Sequence, residues 1–373
     1  MNAGRRGAYW PDGDQELLLR AALLSGGDAV EAWRNLRPRL DVERANGASR
    51  RLFPLLDANL RRHGIDDPVM AELAKVRQHT ASRNRALFDA ARGLLQALED
   101  AGIDTLVLKG GAVAARLYRD LSLRPMADVD VVVPTGRAQS ALEVLQRAGW
   151  SPEVAITPAF IRMQHGADVF AESASVKCDL HWHVYWECCQ PIADDDLWAS
   201  SLPLDFSGMA TRTLGPADAL LHLCVHGSRR VRHPQLLWVA DALLLLRENA
   251  VDWRRLMSQA IQRRFVLRAG AMLAYLRRAF GAPVPDDVLR HLQTHPVSRL
   301  ERFEYWLGNR PQGLIGELPI YWCNYRRLRE GWPTRTPPGF PRYLQQTWRV
   351  ESLWDVGWGA VARAGRRVRA AFR

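Results

Sequence analysis

The chain has 373 residues, 47% of them hydrophobic, and a formal net charge of +11. That length supports a sizeable core and more than one domain, and the hydrophobic share excludes a disordered chain. The positive charge calls for anionic company such as nucleotides, nucleic acid or a membrane surface. Five cysteines at irregular spacing, Cys178, Cys188, Cys189, Cys224 and Cys323, argue against a disulfide framework and for a reducing compartment. The first residues lack an apolar run, so no signal peptide is expected. The longest apolar run, Leu236 to Leu246, is too short to span a bilayer and reads as a buried helix.

In chain order, residues 14–100 read as helices. Leu17, Leu18, Leu19, Ala22 and Leu23 cluster before Gly26 and Gly27, and Leu52, Leu55, Leu56 and Leu60 recur at helical spacing. A long helix is predicted from about Ala71 to Asp100, closed by Gly102 as a C-cap. Leu106 to Leu108 form a short strand that stops at Gly110 and Gly111, where a tight turn is expected to deliver a helix over Ala112 to Tyr118. A second strand spans 128–133 and stops at Pro134, and a helix is predicted over 137–148. Edge strands are expected at Glu153 to Ile156 and Ala167 to Ala171, then a strand at 176–184. The acidic run Asp194, Asp195 and Asp196 reads as a helix cap before Leu197 and Trp198. Residues 216–330 read as helical, and the Pro- and Gly-rich stretch 331–342 as irregular.

Two short stretches concentrate the chemistry. A helix N-terminus just after a glycine turn favours phosphate through its free N–H groups. Residues two apart on a strand share a face, so Asp128 and Asp130 point one way and Val129 and Val131 the other. Adjacent carboxylates repel unless a cation lies between them, and hard divalent ions take such ligands together with substrate phosphates. On the strand 176–184, Lys177, Asp179, His181 and His183 share one face, an unusual set for a strand that only packs. His222 and His226 lie at helical i, i+4 spacing and read as packing residues. The histidines and cysteines around residue 181 fit no structural zinc pattern.

Leu108-Lys109-Gly110-Gly111-Ala112, Tyr118 and Leu123-Arg124-Pro125-Met126-Ala127-Asp128-Val129-Asp130 resemble the uncharacterised nucleotidyltransferase family, a branch of the polymerase-β-like nucleotidyltransferases. Val176-Lys177-Cys178-Asp179-Leu180-His181-Trp182 is also typical of that family, and the resemblance covers roughly residues 20 to 270. It implies an α+β fold: a polymerase-β-like mixed sheet flanked by N- and C-terminal helical segments. The organisation expected is a helical region at 1–83, the nucleotidyltransferase core at 84–200, a second helical region at 201–330, and a linker with a basic tail at 331–373.

The resemblance implies a metal-dependent transfer of NMP from an NTP, ATP in the first place, to a hydroxyl of a small-molecule, peptide or protein acceptor. Asp128, Asp130 and Asp179 would be catalytic and hold Mg²⁺ (or Mn²⁺), with Asp179 also taking the hydroxyl proton. Lys109, Gly110, Gly111, Arg124 and Lys177 would bind the nucleotide, and His181 would orient substrate. Many superfamily members carry Gly-Ser at the turn; here Gly110-Gly111 leaves backbone N–H groups and Lys109 to do the serine's work. The other class of reading is a protein that keeps the fold, has lost the chemistry, and binds nucleotide or peptide. Nothing resembles a duplex-gripping domain, so templated polymerisation is not expected. A cytoplasmic protein of bacterial type is implied. The tail, with Trp354, Trp358, Val361, Val368 and Phe372 among arginines, reads as a weak contact for anionic surfaces.

Overall fold

The computed structural model describes residues 9–153, 155–171, 176–229, 234–310, 317–331 and 338–357. It is an α+β fold built on one seven-stranded mixed sheet: β1 (Leu106–Leu108), β2 (Val129–Val132), β3 (Trp150–Pro152), β4 (Gly166–Ala171), β5 (Lys177–His181), β6 (Leu202–Phe206) and β7 (Met209–Thr213). The order across the sheet is β3-β4-β5-β2-β1-β7-β6. β2 runs antiparallel to β1 and parallel to β5.

Helices cover both faces of the central strands, which is why those strands read as nearly unbroken apolar runs. Val107, Val129, Val131, Cys178 and Leu180 face a core that includes Leu87, Ala91, Leu94, Leu95 and Leu98 of the long helix Met70–Asp100. Leu106, Leu108 and Val132 face the other way, into a larger core shared with the N-terminal helices and with the helices Pro216–Gly227 and Leu237–Glu248. Asp130 sits between Val129 and Val131 on that second face, and it is buried. A carboxylate in such a strand carries a heavy desolvation cost unless it is paired.

The long helix ends as its sequence requires: Gly102 takes φ +62°, and Ile103 donates its N–H to the Leu98 carbonyl. The 83/84 boundary drawn from sequence falls inside this helix. The region expected to turn helical after residue 200 opens instead with the hairpin β6–β7, whose second strand pairs with β1 and extends the sheet to Thr213. At the other edge, the strand expected at 153–156 lies earlier, as β3, and a short helix Pro158–Met163 follows it. Asp194 precedes a helix as expected, but its carboxylate accepts from His183 Nδ1 and the Val184 N–H instead of capping. Within the stretch expected to be irregular, Phe340 starts a helix to Trp348, with a proline in its first turn where no N–H is needed. Tyr343, Leu344 and Val356 pack there against Met163, Tyr325 and Leu328. Trp354 is exposed, and the rest of the amphipathic tail lies outside the described residues.

Candidate active site

The turn after β1 differs in detail from its sequence reading. The helix begins directly at Lys109, and it is Lys109 that takes a left-handed φ, +43°. The two glycines serve close packing. A Cβ on Gly110 would lie 2.2 Å from Arg124 Nη1, and one on Gly111 would lie 3.0 Å from Val129 Cγ1. A lysine in that strained conformation is a costly choice for a turn, and such strain gathers at functional sites.

Strand pairing then assembles the carboxylates. Asp130 pairs across from Asp179 in the parallel register of β2 and β5, and across from Leu108 on β1. Asp128 lies one step before β2, and its position two residues from Asp130 sets it on the same side of the strand. Asp168 pairs across from Asp179 on β4. Asp130, Asp179 and His181 each bring one ligand atom within 4.8 Å of the others, the grouping of a metal site. No cysteine joins them, and all five cysteines are buried free thiols.

Each acid faces a side-chain cation. Lys109 Nζ is 2.5 Å from Asp130 Oδ1. Lys177 Nζ lies 3.0 Å from both Asp128 Oδ2 and Asp168 Oδ1. His181 Nε2 is 2.8 Å from Asp179 Oδ2 and 3.4 Å from Asp130 Oδ1, yet it lacks the alignment of a hydrogen bond with either. Its Nδ1 is 3.4 Å from the His183 carbonyl, a contact that holds a proton on Nδ1, so Nε2 is the nitrogen that faces the acids and coordinates only when an ion displaces its proton.

The electrostatics follow from these contacts. Burial opposes charge on Asp130, but Lys109 and His181 outweigh it and hold the carboxyl well below its usual range. Asp179 is likewise lowered, chiefly by His181 working against burial. Burial also opposes charge on His181, yet Asp179 and Asp130 push it up to about 9. Asp128 goes the other way: burial and the neighbouring Asp130 raise it despite Lys177.

Arg124 is placed differently from its expected nucleotide role. Its Nε and Nη2 fork onto Asp241 at 2.8 and 2.5 Å, both groups are buried, and Tyr118 donates to the same carboxylate at 3.2 Å. Asp241 comes from the helix Leu237–Glu248 and had no signal in the sequence beyond being a charge inside an apolar run. His181, expected to orient substrate, is fully buried against the acids and does not line the cleft. His226 lines the cleft, while His222 packs edge-on to Tyr185.

Lys109, Arg124, Asp128, Asp130, Asp179 and Asp241 line a cleft of about 550 Å³ between the sheet and the C-terminal helices. Its charges balance: Arg51, Lys109, Arg124 and Arg229 against Asp128, Asp130, Asp179 and Asp241. The family model described as uncharacterised nucleotidyltransferase matches residues 47–281. The chain belongs to the uncharacterised nucleotidyltransferase family. It is therefore a nucleotidyltransferase by descent, and the matched span runs from the first cleft residues through both carboxylate strands to the helix Val266–Phe280. No curated protein matches this nucleotidyltransferase in sequence. Among solved structures it is similar to the solution structure of antibiotic-resistance factor ANT(2'')-Ia, with 15% identity over 57% of this chain and 100% of that one, and a TM-score of 0.33. The crystal structure of ANT(2")-Ia in complex with adenylyl-2"-tobramycin gives 13% identity, 48% and 97% coverage, and a TM-score of 0.34. An antigenic nucleotidyltransferase-like protein from Paracoccidioides brasiliensis gives 15%, 55% and 96%, and 0.34. Family membership rests on the sequence match alone.

Proposed function

We propose that this nucleotidyltransferase moves NMP from an NTP, with ATP the first candidate, to a hydroxyl acceptor. The observation that carries the reading is the register of Asp130 against Asp179, with Asp128 one step away, at the wall of a cleft beside a helix N-terminus. The donor set fits a divalent cation: carboxylate oxygens with one imidazole nitrogen that is close to them but not hydrogen-bonded. Asp130, Asp179 and His181 would hold Mg²⁺ or Mn²⁺, with Asp128, two residues from Asp130, as the further carboxylate at the site, and the imidazole favours Mn²⁺ more than Mg²⁺. Such an ion supplies charge neutralisation at the polyphosphate and lowers the pKa of the acceptor hydroxyl.

The chain's own groups do the rest. Lys109 and Gly110 line the cleft, and the N–H groups of this helix N-terminus, with that of Gly111, would donate to phosphate, while the Lys109 and Lys177 ammonium groups would neutralise phosphate charge on leaving the carboxylates. Arg124 acts from behind, by fixing the loop that carries Asp128. The acceptor oxygen attacks the α-phosphorus, a P–O bond forms, the bond to pyrophosphate breaks, and the hydroxyl proton passes to a carboxylate. Asp179, held ionised by His181, is a weak base; Asp128, with its raised pKa, matches that task better. We assign the protein to the cytoplasm, where NTPs are found and free buried cysteines stay reduced. No helix among the described residues is long and apolar enough to cross a membrane.

One observation favours the second reading, a fold that has kept nucleotide binding without chemistry: every acid in the site already has a resident cation. Labelled NTP turnover with Mn²⁺, followed beside Mn²⁺ binding by electron paramagnetic resonance, separates the two. Transfer expects both signals in the natural protein and neither in Asp130→Asn. Nucleotide binding with no Mn²⁺ uptake and no turnover overturns it.

A further inference from the structure

A second groove, of about 540 Å³, opens beside the catalytic cleft and shares Gly47, Arg51, Met126 and Ala127 with it. Its charged lining is all of one sign: Arg50, Arg51, Lys75, His79 and Arg83, with no carboxylate. Lys75, His79 and Arg83 recur every four residues along one face of the long helix, and Arg50 and Arg51 close the short helix opposite.

This is more than a basic chain showing its average surface. Elsewhere in the N-terminal helical region, arginines find acids: Arg37 pairs with Asp67, Arg39 with Asp14, Arg61 with Asp57, and Arg77 with Asp57 and Asp120. Among the described residues, the four groove cations Arg50, Arg51, Lys75 and Arg83 pair with none. Arg51 instead donates to the Pro125 carbonyl, on the loop that leads to Asp128. Its surroundings disfavour the protonated form on balance, with desolvation, Arg124 and Arg83 opposing the charge and Asp128 and Asp241 favouring it. Asn84 also lines the groove; its amide donates to the Leu121 and Arg124 carbonyls, while its buried Oδ1 has no partner among the described residues. An unpaired acceptor oxygen of that kind suits a hydroxyl donor.

We propose that this groove binds the phosphate-bearing end of the acceptor substrate, so that the acceptor is a phosphorylated polyol or sugar whose free hydroxyl reaches the carboxylates. The inference rests on the transferase reading of the neighbouring cleft. The volume suits a ligand of that size, and four arginine and lysine side chains suit phosphate through charge-assisted hydrogen bonds. The NTP's own phosphates are the other source of that chemistry. Lys109 and Gly110, which carry the helix N-terminus, line the cleft and not the groove, and this places the triphosphate next door.

The test uses ribose 5-phosphate and ribose as probes, titrated calorimetrically at low salt, with and without saturating α,β-methylene ATP and Mg²⁺. The comparison protein is Lys75→Ser/Arg83→Ser, which changes two exposed side chains of the helix. Ribose 5-phosphate should bind the natural protein with the nucleotide analogue present. The double variant should bind it at least tenfold more weakly and hold the analogue within twofold of the natural affinity, and ribose should bind neither. Equal binding by the variant, equal binding of ribose, no binding by the natural protein, or displacement of ribose 5-phosphate by the analogue overturns the proposal. Displacement would return the groove to the NTP. Failure to bind the analogue at all would instead count against the transferase reading, and the analogue-free titrations would still decide the groove.

Discussion

Arg124 decides between two roles for the loop before β2, phosphate binding and internal bracing. Its guanidinium makes two parallel hydrogen bonds to Asp241, at 2.8 and 2.5 Å, and the side chains are 8% and 1% exposed. Asp241 also accepts from Tyr118. Replacing one partner strands the other charge without water, which costs about 3–5 kcal/mol. Arg124→Met and Asp241→Asn should each lower stability by that amount. With a urea slope of roughly 3 kcal/mol/M, each midpoint should fall by about 1 M or more. The double variant Arg124→Met/Asp241→Leu removes both charges and should recover much of the loss, with a coupling of at least about 2 kcal/mol. Urea unfolding followed by tryptophan fluorescence reads all four proteins. If Arg124→Met leaves the midpoint in place and costs only NTP affinity, Arg124 is a phosphate ligand and the bracing argument fails. The expected pattern is the reverse, with stability lost first.

Gly110→Ala would set a methyl group 2.2 Å from Arg124 Nη1, and the fork on Asp241 keeps that nitrogen from moving away. It should destabilise by about 1–3 kcal/mol, an overpacking cost, and an unchanged thermal midpoint would refute the close approach. His181→Gln should weaken Mn²⁺ binding by about 10–100-fold, whether the imidazole is a ligand or orients one, with the fold retained by circular dichroism; unchanged Mn²⁺ affinity would reduce His181 to packing. Glu187 is buried between Arg268 and Arg229, which outweigh the burial and lower its carboxyl from 4.5 to about 2. Its pKa is depressed on folding, so its contribution is full above about pH 5, fades as pH falls through the folded value near 2, and reaches at most about 3 kcal/mol. In Glu187→Gln, stability should fall less steeply from pH 5 downward than in the natural protein; parallel curves would refute the assignment.

Much of the candidate site's geometry was legible because its residues lie on regular elements with short periods. Alternation along β2 puts Asp128 and Asp130 on one side, and the resemblance supplied Asp179 on a neighbouring strand. The parallel register of β2 and β5 then brings Asp130 and Asp179 together. The paired strands 129–132 and 177–181 and the helix ending at Gly102 follow from the same local patterns. What the chain hid was tertiary. Asp241 lies 117 residues from Arg124, so an arginine beside the motif looked free for phosphate when it was already held. The hairpin β6–β7 was missed because its strands carry Pro203, Asp205 and Arg212 where an apolar run would have marked them, as the outer strands of a sheet allow. The left-handed turn fell on Lys109 although two glycines follow it, since those glycines are required by neighbours from β1, β2 and the loop before β2 that no local pattern reveals.

The choice of cation gives one more link between sequence and mechanism. The chain has 51 lysines and arginines, and only Lys75, Lys109 and Lys177 are lysine. Structural pairs use arginine forks: Arg124 on Asp241, and Arg327 on Glu304 with two backbone carbonyls besides. Lysine stands on the site acids, Lys109 on Asp130 and Lys177 on Asp128, and the third lines the groove alongside. An ammonium is a compact charge with rotatable donors on a flexible stem, whereas a guanidinium fork fixes two bonds at once. On the proposed reading, carboxylates that exchange a resident cation for a metal and its phosphates would need a partner that can swing away and then serve the phosphate. The division fits a site whose ion pairs are held for release, inside a scaffold whose ion pairs are held for good.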